Sequence, residues 1–174
     1  ADLAETAINE RHAHAVWGLP RTNLAVVSWP PTTKESLFVH WHYWWQAHYL
    51  DCQVDAALRK NTKMRRTLIA NTIRGIHVRN LRALTKNRYY DDKAWMALAM
   101  ARAGELKKLR PHKKLGTLQG NIHAGLDAQE GVLPWREGET FLNVPSNGPG
   151  ATMLARMGRL EEARHIVDWI YDHL

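Results

Sequence analysis

Apolar and aromatic residues recur at intervals of three and four along most of this 174-residue chain. That spacing places them on one face of an α-helix, and it is typical of amphipathic helices packed on a shared core. The pattern predicts about seven helices and no long strand, although residues 24–29 can form a short extended piece. Two stretches rich in glycine and proline, residues 18–36 and 130–150, are predicted to be loops. The chain is therefore expected to be all-α.

The predicted helices are of two kinds, which alternate along the chain. Those rich in small or aromatic residues cover 37–59, 91–103 and 147–157. Those with one apolar and one charged face cover 62–83, 107–127 and 160–174, with Pro111 expected near the start of the second. Alternation of this type predicts two layers of helical hairpins. Within the 37–59 helix, the spacing places Trp41, Trp45 and Cys52 on the buried face.

Three clusters of aromatic and polar residues stand at the starts of the helices of the first kind. They occupy residues 40–46, residues 89–92, and residues 134–136 together with 143–149. In an antiparallel array every second helix points the same way, so we expect the three clusters to lie at one end of the assembly. The end of the array that holds these three clusters is the predicted functional site.

Asp91 and Asp92 are adjacent carboxylates at the predicted start of a helix. Glycoside hydrolysis uses two carboxyl groups, which lie about 5–5.5 Å apart in retaining enzymes. Neighbouring Cα atoms are 3.8 Å apart, so adjacent side chains can reach that separation. Two close carboxylates also raise one pKa, which favours one acid and one base or nucleophile. The alternative interpretation is that both aspartates cap the helix.

Eight tryptophans are many for a chain of this length. Aromatic residues at helical spacing are often part of a core, but aromatic side chains surround most of the predicted helix 37–59 near its start. Aromatic faces also pack on the apolar faces of sugar rings while polar groups bind the hydroxyls. The polar groups available for that role are His42, Gln46, Asn143 and Asn147.

The chain carries a formal charge of +7, and residues 56–90 contain ten basic residues and no acidic one. Such a stretch can bind nucleic acid. The basic residues are spread around the predicted helices and match no nucleic-acid-binding motif, so a solvated outer face is the favoured interpretation. Nucleic acid is not an expected partner.

Several classes of site are disfavoured by composition. A single cysteine, Cys52, excludes a disulfide framework. The closest histidine pairs, His12 with His14 and His40 with His42, are two residues apart and cannot face one metal from one helix. No metal or cofactor is expected. No apolar run is long enough to span a membrane, and the first residues do not form a signal peptide, so a cytoplasmic location is expected if the N-terminus is native.

Four motifs, taken together, resemble family 76 of the glycoside hydrolases. In chain order they are Trp41-His42-Tyr43-Trp44-Trp45-Gln46-Ala47-His48, Tyr89-Tyr90-Asp91-Asp92-Lys93-Ala94-Trp95, Val132-Leu133-Pro134-Trp135-Arg136 and Asn143-Val144-Pro145-Ser146-Asn147-Gly148-Pro149. The family comprises α-1,6-mannanases and relatives with an (α/α)6 barrel. The resemblance implies a retaining mechanism in which Asp91 is the nucleophile and Asp92 the general acid/base.

The resemblance also implies a substrate-binding set and a larger fold. The expected substrate-binding residues are Trp41, His42, Trp45, Tyr90, Trp95, Trp135, Asn143 and Asn147. An (α/α)6 barrel needs about twice the helices predicted here. Residues 1–174 are therefore expected to be a single toroid-type domain, the N-terminal half of a larger catalytic domain and an incomplete barrel. The sequence departs from the family pattern at residues 130–133 and at Leu142, which bears on the details of substrate binding.

An alternative function follows if the second half of the barrel is supplied by another chain. The chain can instead be a non-catalytic carbohydrate-binding or interaction module whose barrel is completed by a second copy or a partner chain, because an open inner face exposes apolar surface. In both hypotheses the expected ligand is an oligo- or polysaccharide.

Overall fold

The computed structural model describes residues 1–106 and 112–173. These residues form eight α-helices, two short 3-10 turns and one two-stranded sheet. The helices are α1 (Asp2–His12), α2 (Thr33–Ser36), α3 (Tyr43–Arg59), α4 (Lys63–Arg79), α5 (Tyr90–Glu105), α6 (His112–His123), α7 (Val144–Arg156) and α8 (Leu160–His173). The all-α prediction is confirmed, and α2 is a helix that the sequence pattern did not predict.

The described residues form two compact units. The first contains residues 1–84 and 99–106, and the second contains residues 85–98 and 112–173, so the boundary falls inside α5. In the first unit α3 packs along α4. The strands β1 (Ala13–His14) and β2 (Leu24–Ala25) pair antiparallel beside them, and β2 lies in the short extended piece expected at residues 24–29.

Helix α3 begins six residues later than the sequence pattern predicts. Phe38 and His42 have φ values of 51° and 43°, which belong to the left-handed region and interrupt a right-handed helix. Helix α4 likewise ends at Arg79 instead of 83, because Leu81 and Arg82 have φ values of 55° and 62°. The apolar periodicity of the sequence therefore extends beyond the start of α3 and beyond the end of α4, where the backbone leaves the helical conformation.

The buried face of α3 differs from the predicted aromatic stripe. Gln46 is 1% exposed, whereas Trp45 is 39% exposed, and Cys52 is exposed instead of buried. The Gln46 amide is satisfied by backbone, since its Oε1 accepts from Ala25 N at 2.9 Å and its Nε2 donates to Ala25 O at 2.8 Å. Hydrogen bonding to β2 makes burial of this polar side chain favourable.

The second unit is organised around the pairing of α7 with α8. Its core includes the apolar side chains of Leu118, Ile122, Leu133, Leu154 and Ile166, each at most 1% exposed. The predicted helix start near Pro111 lies outside the described residues. The first half of α5, residues 90–98, also belongs to this unit.

Helix α7 begins at Val144, inside the segment predicted as a loop. The Asn143 side chain accepts a hydrogen bond from Ser146 N at 3.0 Å and caps the helix. Pro145 occupies the first turn, where its missing N–H costs nothing. Pro149 lies inside the helix, and this second proline is the reason that sequence rules favour a loop here.

Candidate active site

Asp91 and Asp92 occupy the first turn of α5, which begins at Tyr90. Both side chains are partly buried. The Asp91 Oδ1 atom accepts a hydrogen bond from the backbone N–H of Asp92 at 2.8 Å. The Asp92 Oδ2 atom accepts from the Asn87 side-chain amide at 2.8 Å. Each carboxyl group thus has a fixed partner of its own, and the helix N-terminus adds a positive dipole end that favours negative charge.

The two carboxyl groups differ in how strongly their surroundings favour ionisation. Burial raises the pKa of Asp92 to about 6, with the hydrogen bond from Asn87 opposing this rise and the charge of Asp91 adding to it. Burial also raises the pKa of Asp91, but backbone N–H groups hydrogen-bond its carboxylate and oppose the change. Asp92 therefore retains a proton at mildly acidic pH, as a general acid requires.

The loop between α6 and α7 runs against the start of α5. Tyr90 N donates to Trp135 O at 3.1 Å, and Glu137 N donates to Arg88 O at 2.9 Å. Residues Tyr89 and Arg136 form an antiparallel bridge. This pairing confirms that the second and third sequence clusters lie together.

Tyr89, Trp135 and Arg136 form a partly buried aromatic and cationic group beside the aspartates. The ring centroids of Tyr89 and Trp135 are 5.2 Å apart. The Arg136 guanidinium carbon lies 5.8 Å from the Tyr89 ring and 5.4 Å from the Trp135 ring. Its Nε also donates to Glu139 Oε1 at 2.6 Å, which holds the guanidinium in place. Sequence reasoning selected only Trp135 of this group.

Tyr90 is nearly fully buried, at 6% exposed. Its ring packs against Gly125 so closely that a Cβ atom there would lie 2.2 Å from the tyrosine oxygen. Trp95, one turn after the aspartates, is 39% exposed. Of these two predicted substrate-binding residues, Trp95 has the greater exposure to solvent.

Asn143 and Asn147 both bond to backbone at the start of α7. Asn147 is 0% exposed, its Oδ1 accepts from Leu133 N at 2.8 Å, and its Nδ2 donates to Leu133 O and Asn143 O, both at 2.8 Å. Asn147 thus supports the loop that carries Trp135, whereas the partly buried Asn143 caps the helix. Neighbouring Asn87, which bonds to Asp92, was not selected from the sequence, because no spacing rule marks an asparagine five residues before a carboxylate.

Trp41, His42 and Trp45 belong to the first unit. The His42 and Trp45 ring centroids are 5.1 Å apart, and both side chains are exposed. The Arg79 guanidinium carbon lies 5.0 Å from the Trp41 ring centroid. Trp44, which sequence reasoning did not select, is 43% exposed and meets Trp45 edge to face. The expected role of these residues in substrate binding stays a prediction.

Residues 1–106 and 112–173 contain no group of three or more His, Cys, Asp or Glu side chains placed to hold a metal ion. No helix within these residues is long and apolar enough to cross a membrane.

Three solved structures match the fold. The Lin0763 protein from Listeria innocua has a TM-score of 0.82 at 20% identity, over 99% of this chain and 51% of that chain. The GH76A α-1,6-mannanase of Salegentibacter sp. HEL1_6 has a TM-score of 0.70 at 28% identity, over 78% of this chain and 43% of that chain. The chain resembles part of a family 76 mannanase. Its helices are of the type that build (α/α)6 barrels, as predicted.

A second structure of the Salegentibacter mannanase is an inactive variant bound to α-1,6-mannotriose, in which two consecutive aspartates are replaced by asparagine. It has a TM-score of 0.68 at 25% identity, over 77% of this chain and 42% of that chain. The present chain thus spans about half the length of the structures it matches. No family model and no curated protein sequence matches it.

Proposed function

We propose that this chain carries the catalytic carboxylates of a retaining glycoside hydrolase that acts on α-1,6-linked mannan. The observation that carries the proposal is the Asp91–Asp92 pair at the start of α5, with the pKa of Asp92 raised to about 6. A variant of the similar mannanase from Salegentibacter with two consecutive aspartates replaced by asparagine is inactive.

The proposed reaction has two steps, with Asp91 as nucleophile and Asp92 as general acid and base. In the first step the Asp91 carboxylate forms a bond to the anomeric carbon, the glycosidic C–O bond breaks, and Asp92 gives its proton to the departing oxygen. In the second step Asp92 takes a proton from water, whose oxygen displaces Asp91 from the sugar. The backbone hydrogen bonds to Asp91 and the raised pKa of Asp92 support this division of roles.

The aromatic rings near the aspartates that solvent can reach are proposed to bind the sugar. Tyr89 and Trp135 form a pair beside the start of α5, and Trp95 lies one turn further along. Aromatic faces of this type pack on the C–H faces of pyranose rings. In this proposal Tyr90, Asn143 and Asn147 support the site of the second unit. For the first unit by itself, Trp41, His42 and Trp45 are proposed as sugar contacts.

The direct test is hydrolysis of α-1,6-mannan by the wild type and by the Asp91→Asn and Asp92→Asn variants. Loss of each carboxyl group is expected to lower the rate by about 100-fold or more. Asp168→Asn is the matched control, because Asp168 is an exposed aspartate of the same unit. Equal rates in the wild type and both site variants contradict the assignment.

A binding measurement distinguishes a catalytic chain from one that only recognises the sugar. Titration of α-1,6-mannotriose is expected to give binding by the wild type and by Asp92→Asn, which keeps the shape of the site. If the wild type binds the trisaccharide without hydrolysing it, the chain is a carbohydrate-binding module, and the catalytic proposal fails.

A further inference from the structure

Lys93 follows the aspartate pair directly and is completely buried, with 0% of the residue exposed. Its ammonium nitrogen donates to Glu137 Oε1 at 2.5 Å and to Asn121 Oδ1 at 2.7 Å. It also lies 4.7 Å from the centre of the Tyr90 ring. Sequence reasoning did not select Lys93, because helical periodicity places a lysine in a core only as an exception.

A buried lysine is a costly choice for packing alone. Burial lowers the pKa of Lys93, and the hydrogen bond and charge of Glu137 oppose that change. An apolar side chain of similar size commonly stabilises a core as well as a buried ion pair does. What an ion pair adds is a directional bond to one particular partner, and here that partner is on the loop that carries Trp135.

The partner residue fixes that loop at a point close to Trp135. Glu137 N donates to Arg88 O at 2.9 Å, and the Arg88 side chain donates back to Glu137 O at 2.8 Å. Two residues earlier, Trp135 O accepts from Tyr90 N. The Lys93–Glu137 pair therefore joins the buried face of α5 to the loop segment that contains Trp135, whose ring packs against Tyr89.

From these contacts we infer that Lys93 is a positioning residue for the candidate active site. Its ion pair with Glu137 holds residues 135–137 against the start of α5, so that the Tyr89–Trp135 pair stands beside Asp91 and Asp92. Lys93 acts through Glu137 and takes no part in proton or glycosyl transfer. The consequence for catalysis rests on the proposed function, whereas the consequence for the position of Trp135 does not.

The position of Trp135 can be measured without any activity. In protein labelled with 5-fluorotryptophan, the Trp135 signal is assigned by its loss in Trp135→Phe. Lys93→Met and Glu137→Ala break the same contact from opposite sides, so both are expected to move the Trp135 fluorine signal by more than its linewidth. The signal of Trp17, in the other unit, is expected to stay in place.

Two controls separate positioning from general effects of mutation. Glu137→Gln keeps an oxygen acceptor for Lys93 and is expected to leave the Trp135 signal close to its wild-type position. Lys86→Met removes an exposed lysine of the same unit and is expected to change nothing. An unmoved Trp135 signal in folded Lys93→Met and Glu137→Ala overturns the proposal, whatever the activity.

Activity then tests the link to catalysis. With α-1,6-mannotriose, kcat for Lys93→Met is expected to fall about 10- to 100-fold, which is the usual cost of misplaced substrate contacts, while Glu137→Gln stays within a few-fold of the wild type. An unchanged kcat in Lys93→Met, with the Trp135 signal moved, overturns the catalytic consequence. A wild type that neither binds nor hydrolyses the trisaccharide refutes the proposed function, and the fluorine signals still decide the role of Lys93.

Discussion

Replacing Asp92 with asparagine is expected to abolish catalysis and to stabilise the fold. Burial disfavours the ionised carboxyl group in the folded chain, as the raised pKa of about 6 records. Asparagine has nearly the same shape, carries no charge, and can still accept the hydrogen bond that Asn87 donates. The substitution therefore removes a buried charge without removing its partner.

The size of the effect follows from the difference between the folded and unfolded pKa values. A shift from 3.8 to about 6 corresponds to about 3 kcal/mol of unfavourable ionisation at pH 8. Water reaches the partly buried carboxyl group and screens it, so about 1.5 kcal/mol is expected. Because the folded pKa is the higher one, the penalty is absent below pH 3.8, grows between pH 3.8 and 6, and is complete above pH 6. At pH 4.5 only about a third of it remains.

The assay is urea unfolding followed by circular dichroism at pH 8 and pH 4.5. Asp92→Asn is expected to raise the free energy of unfolding by about 1.5 kcal/mol at pH 8 and by about 0.5 kcal/mol at pH 4.5. The exposed Asp168→Asn serves as the control and is expected to change stability by less than about 0.5 kcal/mol at both pH values. A gain from Asp92→Asn that is equal at the two pH values, or a loss at pH 8, refutes the argument from buried charge.

Three other outcomes are expected. The kcat/KM for α-1,6-mannan should fall as pH rises above about 6, because Asp92 loses the proton it donates; a profile flat to pH 8 would contradict this role. Gly75→Ala should lower the free energy of unfolding by about 1–3 kcal/mol in urea titrations, since a Cβ atom there would lie 2.2 Å from the backbone oxygen of Asn23. Gly116→Ala is its control, because a Cβ atom has open space there, and an equal loss in both would argue against the steric reason. Asn147→Ala should cost about 2–3 kcal/mol in the same titrations, because it leaves buried backbone groups without partners; a change below about 0.5 kcal/mol would show that water replaces the amide.

Much of the helical framework was predictable from the sequence because helices of this length follow local rules. The predicted start of α5 at the aspartates agrees with the structure. The start of α7 was wrong by several residues, because two prolines and two glycines in residues 145–150 resemble a loop unless the Asn143 cap is known. The start of α3 was wrong because Phe38 and His42 have left-handed backbone conformations that apolar periodicity does not mark.

Some features of the candidate site also follow from the sequence, and others follow only from the tertiary structure. The pairing of Asp91 with Asp92 is a fact of the sequence, and its meaning came from the chemistry of paired carboxylates and from the resemblance of four motifs. The hydrogen-bond partners of Asp92 and Lys93 could not be predicted from the sequence. Asn87 bonds to Asp92, and Glu137 and Asn121 bond to Lys93, from positions between 5 and 44 residues away along the chain.

Local periodicity and capping chemistry therefore determined most of the helices and the all-α class, and the chemistry of paired carboxylates together with the family resemblance pointed to Asp91 and Asp92. Tertiary structure decided which polar side chains are buried, which aromatic rings are exposed, and which carboxyl group holds its proton more tightly. The physical reason is that burial and long-range hydrogen bonds arise only when distant segments meet. Asn147 shows this most clearly, because a residue expected to contact sugar is enclosed and bonded to the backbone of the loop that carries Trp135.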